Sequence, residues 1–261
     1  MPAFPARLRT LLRPLRIRQL RWARRWQDFR RGVRFANQQS PTPLPVRVVR
    51  HRSLLLRRLG DTDPQLQHNK VVNLRLAVPG LDGLCLRPGE TLSLWQRIGR
   101  PTARRGFLPG VQLSQGKVSV GIGGGLCQLA NLIHWMALHT PLELVERHHH
   151  SFDPFPDEGR VLPFGSGASL FFNYVDLRFR NPTEQTLQLR VWLDETHLCG
   201  EIRAETLPPF SYHILETDHH IEVQGETRLR CNKIWQRQVD RRSGATVAER
   251  MLYSNRSRVM Y

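Results

Sequence analysis

Three consecutive glycines, Gly123, Gly124 and Gly125, stand almost directly before Cys127 and a segment whose apolar residues recur with helical spacing. Leu129, Leu132, Ile133, Met136 and Ala137 fall at i, i+3, i+4, i+7 and i+8, which predicts a helix over 127–139 with one apolar face, stopped by Pro141. Such a face has to be covered by another layer. A helix N-terminus presents backbone N–H groups and the positive end of the macrodipole, and both favour a thiolate. Glycines just before it permit positive φ and a close approach by substrate. A tight turn that precedes a helix without any chemistry is the competing reading of the same residues.

The segments after this helix are strand-like. "LELVERHHHS" over 142–151 reads as a strand that places Glu146, His148 and His150 on one face, with Arg147, His149 and Ser151 on the other. "SLFFNYVDLRFRN" over 169–181 alternates, with Phe171, Asn173, Val175, Leu177 and Phe179 on one face and Tyr174, Asp176 and Arg178 on the other. "TLQLRVWL" and "HLCGEIRA" read as a hairpin whose Leu187, Leu189, Val191 and Leu193 face the core. Upstream, a helix or strand over "HNKVVNLRL" is followed by a hairpin around Pro88-Gly89, and the last sixty residues hold further short alternating runs. The fold class expected is α+β: a glycine loop and a central helix with Cys127 at its start, packed on an antiparallel sheet, with a β-rich C-terminal part.

Charge divides the chain. Of the formal net charge of +17, residues 1–58 supply +15 through sixteen arginines and a single acid, Asp28. Arginine alternates there with Leu, Ile, Trp and Phe, so no stretch approaches the roughly 20 apolar residues of a membrane-spanning helix, and no apolar run suits a secretory signal. An Arg-rich amphipathic helix over 1–35 with Trp22 and Trp26 four residues apart suits an anionic membrane surface. Nucleic acid is a weaker candidate partner, and a solvated or targeting arm is the bland alternative. Pro41, Pro43 and Pro45 read as a linker, and 46–59 as strand or helix. The domain division expected is 1–59, basic helical arm and linker; 60–204, core domain; 205–261, β-rich extension.

Cys85, Cys127, Cys199 and Cys231 are scattered without a CxxC pair, which argues against structural zinc and against a disulfide framework. His134 and His139 are five residues apart, off the i, i+4 spacing of helical metal ligands. We therefore expect no metal and no cofactor, a reduced thiol, and a cytoplasmic setting, peripheral at most to the inner face of the membrane. His219-His220 reads as a strand end. A thiol nucleophile needs a base, His148 or His150, and a group that orients the base, for which Asp176, Asn173 and Asp153 are the candidates. The order cysteine at a helix start, histidine, then Asp or Asn is similar to that of papain-like and transglutaminase-like thiol enzymes, a fold-level analogy.

Several blocks resemble the VanW family: "IGGGLCQLANLIHWMALHTPLELVERHHHSFDPFPD", "PFGSGASLFFNYVDLRFRN", and upstream "NKVVNLRLAVPGLDGLCLRPGETLSLW" and "GRPTARRGFLPG". The resemblance covers roughly residues 60–200. It places the family's GGGxCQ block on Gly123, Gly124, Gly125, Cys127 and Gln128, its ERHxHS block on Glu146, Arg147, His148, His150 and Ser151, and its NYxDL block on Asn173, Tyr174, Asp176 and Leu177. Where many relatives carry an aspartate in the segment matching "GSGAS", this chain has Gly167. The resemblance implies a link to glycopeptide resistance and the cell envelope, with a peptidoglycan-related small molecule or peptide as partner.

Two functions follow as expectations. The first is a cysteine-dependent hydrolase or acyltransferase acting on an amide: Cys127 attacks, His148 or His150 is the base, Asp176 or Asn173 orients it, and the N–H groups of Cys127 and Gln128 stabilise the oxyanion. Gly123, Gly124, Gly125, Gln128, Glu146, Arg147 and Ser151 would line the substrate site. The alternative is a non-catalytic accessory module in which the glycine loop binds an anionic group and the basic arm docks on a membrane or a partner.

Overall fold

The computed structural model describes residues 6–56, 62–114, 117–149, 152–153 and 162–260. Its helices are α1 (Ala6–Arg30), α2 (Pro64–Ala77), α3 (Leu94–Ile98) and α4 (Cys127–Leu138). Its strands are β1 (Gln38–Gln39), β2 (Val46–Leu54), β3 (Leu84–Leu86), β4 (Thr91–Ser93), β5 (Pro109–Ser114), β6 (Lys117–Ile122) and β7 (Glu143–Glu146). They continue with β8 (Phe152–Asp153), β9 (Arg178–Arg180), β10 (Leu187–Leu193), β11 (His197–Ala204), β12 (Phe210–Gln224), β13 (Thr227–Asp240) and β14 (Thr246–Val259). The class is α+β, as the sequence predicts.

The central sheet has the order β1-β3-β10-β11-β2 and is antiparallel throughout. α4 lies against β11 and β2. Its predicted apolar face, Leu129, Leu132, Ile133, Met136 and Ala137, is buried in the same core as Leu187, Leu189 and Val191 of β10, and Leu193 packs at the margin. A smaller sheet, β4-β9-β7, and the hairpin β5–β6 stand beside this core, and β12-β13-β14-β8 forms the C-terminal sheet, where β8 joins β14 in parallel. α2 begins as its residues dictate: the Asp63 carboxylate accepts from the Gln65 N–H at 2.8 Å, and Pro64 occupies the first turn, where no N–H is needed.

One open reading is decided and two expectations change. Residues 46–54, read as strand or helix, form β2, which pairs along β11 from Val46 opposite Ala204 to Leu54 opposite His197. The Pro88-Gly89 turn does not close a hairpin. The Gly89 N–H donates to Asn181 O at 2.8 Å and the Asn181 N–H to Glu90 O at 2.9 Å, which splits the flanking strands: β3 joins β10, and β4 joins β9. Of the alternating stretch 169–181 only 178–180 is a ladder strand. Residues 171–175 close a tight turn bridged from Phe171 to Val175, because Asp176 is drawn into buried side-chain bonds instead of the ladder.

The C-terminal strands bond to α4 and to β8. Gln236 Nε2 donates to Leu138 O at 2.6 Å at the end of α4, and Arg230 pairs with Asp153 at 3.0 Å. His219 and His220 lie exposed within β12. No helix of the described residues is long and apolar enough to cross a membrane.

Candidate functional site

The glycine loop is shaped by chain crossings. Asn73, fully buried on α2, donates through Nδ2 to Leu108 O (3.0 Å) and Gly124 O (2.9 Å), and accepts the Leu108 N–H at 2.8 Å. One amide thus ties the entry of β5 to the glycine turn. Gly124 passes so close to Gly110 that a Cβ would lie 2.1 Å from its carbonyl carbon; Gly125 has φ +87° and a Cβ there would sit 2.2 Å from Lys70 Cγ. Glycine is required at both for packing, whatever the chemistry nearby.

The loop also uses its own donors. The N–H of Gly123 goes to Leu108 O at 3.0 Å, of Gly124 to Gly121 O at 3.0 Å, of Gly125 to Val111 O at 2.9 Å, and of Gln128 to Gly125 O at 3.1 Å. The Gln128 N–H expected in an oxyanion hole is therefore spent within the chain. Its side chain turns the other way and donates to Ser53 Oγ at 3.0 Å and Leu54 O at 2.8 Å on β2.

Cys127 is the first residue of α4 and lines a cleft of about 220 Å³ together with Gly123, Gly124, Gly125, Trp95 and residues 170–172. Burial pushes its thiol up from the ordinary 9.0, against the downward pull of the Leu170 N–H and its own N–H. At this helix start desolvation outweighs the two amide donors.

The cleft's charged side chains are Arg21 of α1 and Arg100, which follows α3; among the described residues lining it there is no histidine and no carboxylate. Arg21 donates from Nε to Phe172 O at 3.1 Å and stacks over the Phe172 ring, 5.2 Å from its centroid. Burial, and then the neighbouring Arg100, push its guanidinium down from the ordinary value. Arg100 is exposed, and its guanidinium makes no ion pair or hydrogen bond among the described residues. Two cations facing one cavity without an acid is an electrostatic cost that a bound anion removes.

Among the described residues, His148, Asn173, Asp176 and Asp153 are not part of the cleft's lining. His148 is exposed and meets Glu146 Oε1 through Nε2 at 3.0 Å. His150 and Ser151 lie outside the described residues. Arg147 is spent on backbone: Nε donates to Gly167 O at 3.0 Å, Nη2 donates to Gly165 O, and its guanidinium lies 3.8 Å over the Tyr253 ring. Gly167 is therefore a contact of this arginine and does not line the cleft.

Asp176 is fully buried and works as a tie. It accepts from Ser93 Oγ, from the N–H groups of Trp95 (3.2 Å) and Leu177 (2.9 Å), and from Arg178 Nε (2.9 Å). Burial raises its carboxyl, and these donors pull it back. Glu146 accepts from Arg24, His148 and the Asp176 N–H; burial alone would raise it, but these partners hold it below its ordinary value. The cluster bears on the cleft through Trp95, whose Nε1 also donates to Val175 O at 2.8 Å and whose ring meets Phe172 edge-on at 5.6 Å. Asn173 Oδ1 is buried and has no hydrogen-bond partner among the described residues. His134 and His139 bond to the carbonyls of Ser166 (2.9 Å) and Tyr212 (3.0 Å). Among the described residues no three His, Cys, Asp or Glu side chains converge as metal ligands.

Sequence reasoning missed Arg21, Arg100, Lys70 and Asn73. Lys70, Asn73, Leu74 and Ala77 share one buried helical face at i, i+3, i+4 and i+7, so two polar residues within an apolar stripe were a readable signal. Arg21 was hidden among the arginines of its own segment.

Comparison with known proteins agrees with the motif blocks. A family model described as VanW like protein matches residues 69–203. The chain is 30% identical to the vancomycin B-type resistance protein VanW of Enterococcus faecalis over 247 residues, which is 93% of this chain and 90% of that protein. It is 28% identical to the uncharacterized protein YoaR of Bacillus subtilis over 121 residues, 45% of this chain and 37% of that one. No solved structure matches the chain.

Proposed function

The chain belongs to the VanW family, and from that premise we propose that its cleft receives the anionic end of a small peptidoglycan-related molecule, as an accessory binding site. The observation that carries this reading is the pair Arg21 and Arg100, two arginines lining one cavity, near enough for Arg100 to lower Arg21, without a carboxylate among the described lining residues. Guanidinium pairs a carboxylate or phosphate through charge-assisted bonds. The envelope setting is what the family resemblance implies; the Enterococcus relative is named for vancomycin resistance. This is the non-catalytic alternative with its donors changed: the arginines hold the anion, because the amides of Gly123, Gly124 and Gly125 are already bonded.

Thiol chemistry on an amide is the second reading, and the position of Cys127 on the cleft wall at the first turn of α4 favours it. It needs a base that the described lining of the cleft does not supply.

Calorimetric titration separates the two. The ligands are an N-acetylated dipeptide with a free C-terminal carboxylate, its carboxamide, and inorganic phosphate. We expect the free acid to bind and the carboxamide to bind far more weakly. Arg100→Gln should weaken the acid roughly 10- to 100-fold, and Cys127→Ser should leave it unchanged. Equal binding of acid and carboxamide would overturn the anion site. Cleavage of the dipeptide that Cys127→Ser abolishes would install the thiol reading in its place.

A further inference from the structure

α1 is built inside out. Over residues 14–30, where side chains are described, Ile17, Arg21, Arg24 and Asp28, at i, i+4, i+7 and i+11, are the least exposed positions, and three of the four are ionic: Arg24 pairs with Glu146, Asp28 with Arg178, and Arg21 lines the cleft. The apolar residues point the other way. Leu15, Trp22, Trp26 and Phe29 fall within one narrow stripe of the helix and are 57%, 63%, 61% and 83% exposed. Burial in a water-soluble fold dictates the reverse arrangement. A helix anchored by its charges, with two indoles, a phenyl and a leucine turned outward, is shaped for a second apolar medium.

We infer that this face of α1 docks flat on an anionic lipid bilayer. Arg18 and Arg25 flank the stripe on one side and Arg30 on the other, where it stacks 4.6 Å over the Trp26 ring. α1 carries nine arginines and one acid, Asp28, which is buried against Arg178 on the inner face. The outer face therefore offers apolar rings at its centre and cations at its edges. Arginine stems lie along the acyl boundary while their heads reach lipid phosphates, and indole rings settle at headgroup depth with the N–H kept wet. A second copy of the chain would set arginine against arginine. A nucleic-acid duplex rewards the arginines but offers Leu15 and Phe29 nothing to bury against. Docking would also hold Arg21, on the inner face of the same helix, within about one helix diameter, ~10 Å, of the headgroup plane.

The test is co-sedimentation of the full chain with vesicles at physiological salt, comparing phosphatidylcholine alone with phosphatidylcholine containing phosphatidylglycerol. We expect binding to the anionic vesicles only, and quenching of tryptophan fluorescence when the acyl chains carry bromine. The pair Trp22→Ala and Trp26→Ala, both exposed and outside the buried contacts, should keep the wild-type Tm and lose at least about tenfold in partitioning. Arg18→Gln with Arg25→Gln should lose a similar amount. A chain that stays in the supernatant with anionic vesicles overturns the inference. So does wild-type partitioning of the tryptophan pair, or tighter retention of the chain by a DNA duplex than by anionic vesicles at the same salt. None of these readouts involves the cleft ligand, so the outcome stands apart from the cleft's function.

Discussion

Arg178 of β9 grips Asp28 of α1 through two parallel hydrogen bonds, Nη1 to Oδ1 at 2.6 Å and Nη2 to Oδ2 at 3.0 Å, across 150 residues of chain. Both side chains are buried, and the remaining Nε of Arg178 is turned to Asp176. This clamp converts a basic segment that composition alone would leave in solvent into a wall of the cleft.

Breaking the clamp from one side should be costly. Asp28→Ala leaves a buried guanidinium short of one carboxylate, and about 3 kcal/mol of stability should be lost, read as a fall in Tm of roughly 6–12 °C. α1 should become accessible to limited trypsin digestion at a rate well above wild type. The loss should barely change with salt, since the pair is shielded from the Debye atmosphere. A Tm within 2 °C of wild type, with α1 still protected, would show that the clamp does not hold the helix.

The glycine loop predicts a sharp contrast between two alanine substitutions. Gly124→Ala places a Cβ 2.1 Å from the Gly110 backbone and should cost about 3 kcal/mol or more. Gly32→Ala, at φ +58° with nothing within 4 Å, should cost only about 1 kcal/mol of backbone strain. Equal melting temperatures for the two variants would contradict the crossing of 110 and 124.

His134 makes stability depend on pH. It is fully buried, and burial, with Arg147 nearby, lowers it from 6.5 to about 3, while the Ser166 carbonyl holds its Nδ1–H. A folded-state value below the unfolded one means that the contribution is complete above pH 6.5 and is lost as pH falls from 6.5 toward 3. Between pH 7 and 4.5 the wild type should lose about 2–3 kcal/mol from this group. His134→Gln should flatten that part of the Tm-against-pH curve. An unchanged slope in the variant would assign the acid sensitivity elsewhere.

The thiol of Cys127 should behave as a weak acid. With burial raising it above 9.0, the rate of its alkylation by iodoacetamide, followed by peptide mass, should reach half its plateau only above pH 9. A half-point below pH 8 would restore the pre-formed thiolate and strengthen the nucleophile reading.

Much of the architecture was legible because it rests on local periodicity. The α4 face and the β10–β11 hairpin follow from spacings of 3.6 and 2 that burial enforces residue by residue, and both are observed. Residues 169–181 alternate as well, yet only 178–180 pairs. There the sequence pattern competed with four hydrogen bonds to one buried carboxylate, Asp176, whose partners come from Ser93, Trp95, Leu177 and Arg178. No local rule weighs partners 80 residues away.

The candidate site divides the same way. From sequence alone came the glycine loop, Cys127 at a helix start, the concentration of arginine in the first 58 residues, and the motif blocks that identify the family. The tertiary structure decided which groups share the cleft. It brought Arg21 and Arg100 to Cys127, spent the Gln128 amide on Gly125, and gave His148 to Glu146. It also turned α1 so that Arg21, Arg24 and Asp28 face inward and Trp22, Trp26 and Phe29 outward. The physical reason is range. Helix and strand periods are set by neighbours along the chain, whereas the partner of a buried charge is whichever opposite charge the packing delivers, and for Asp28 that was Arg178.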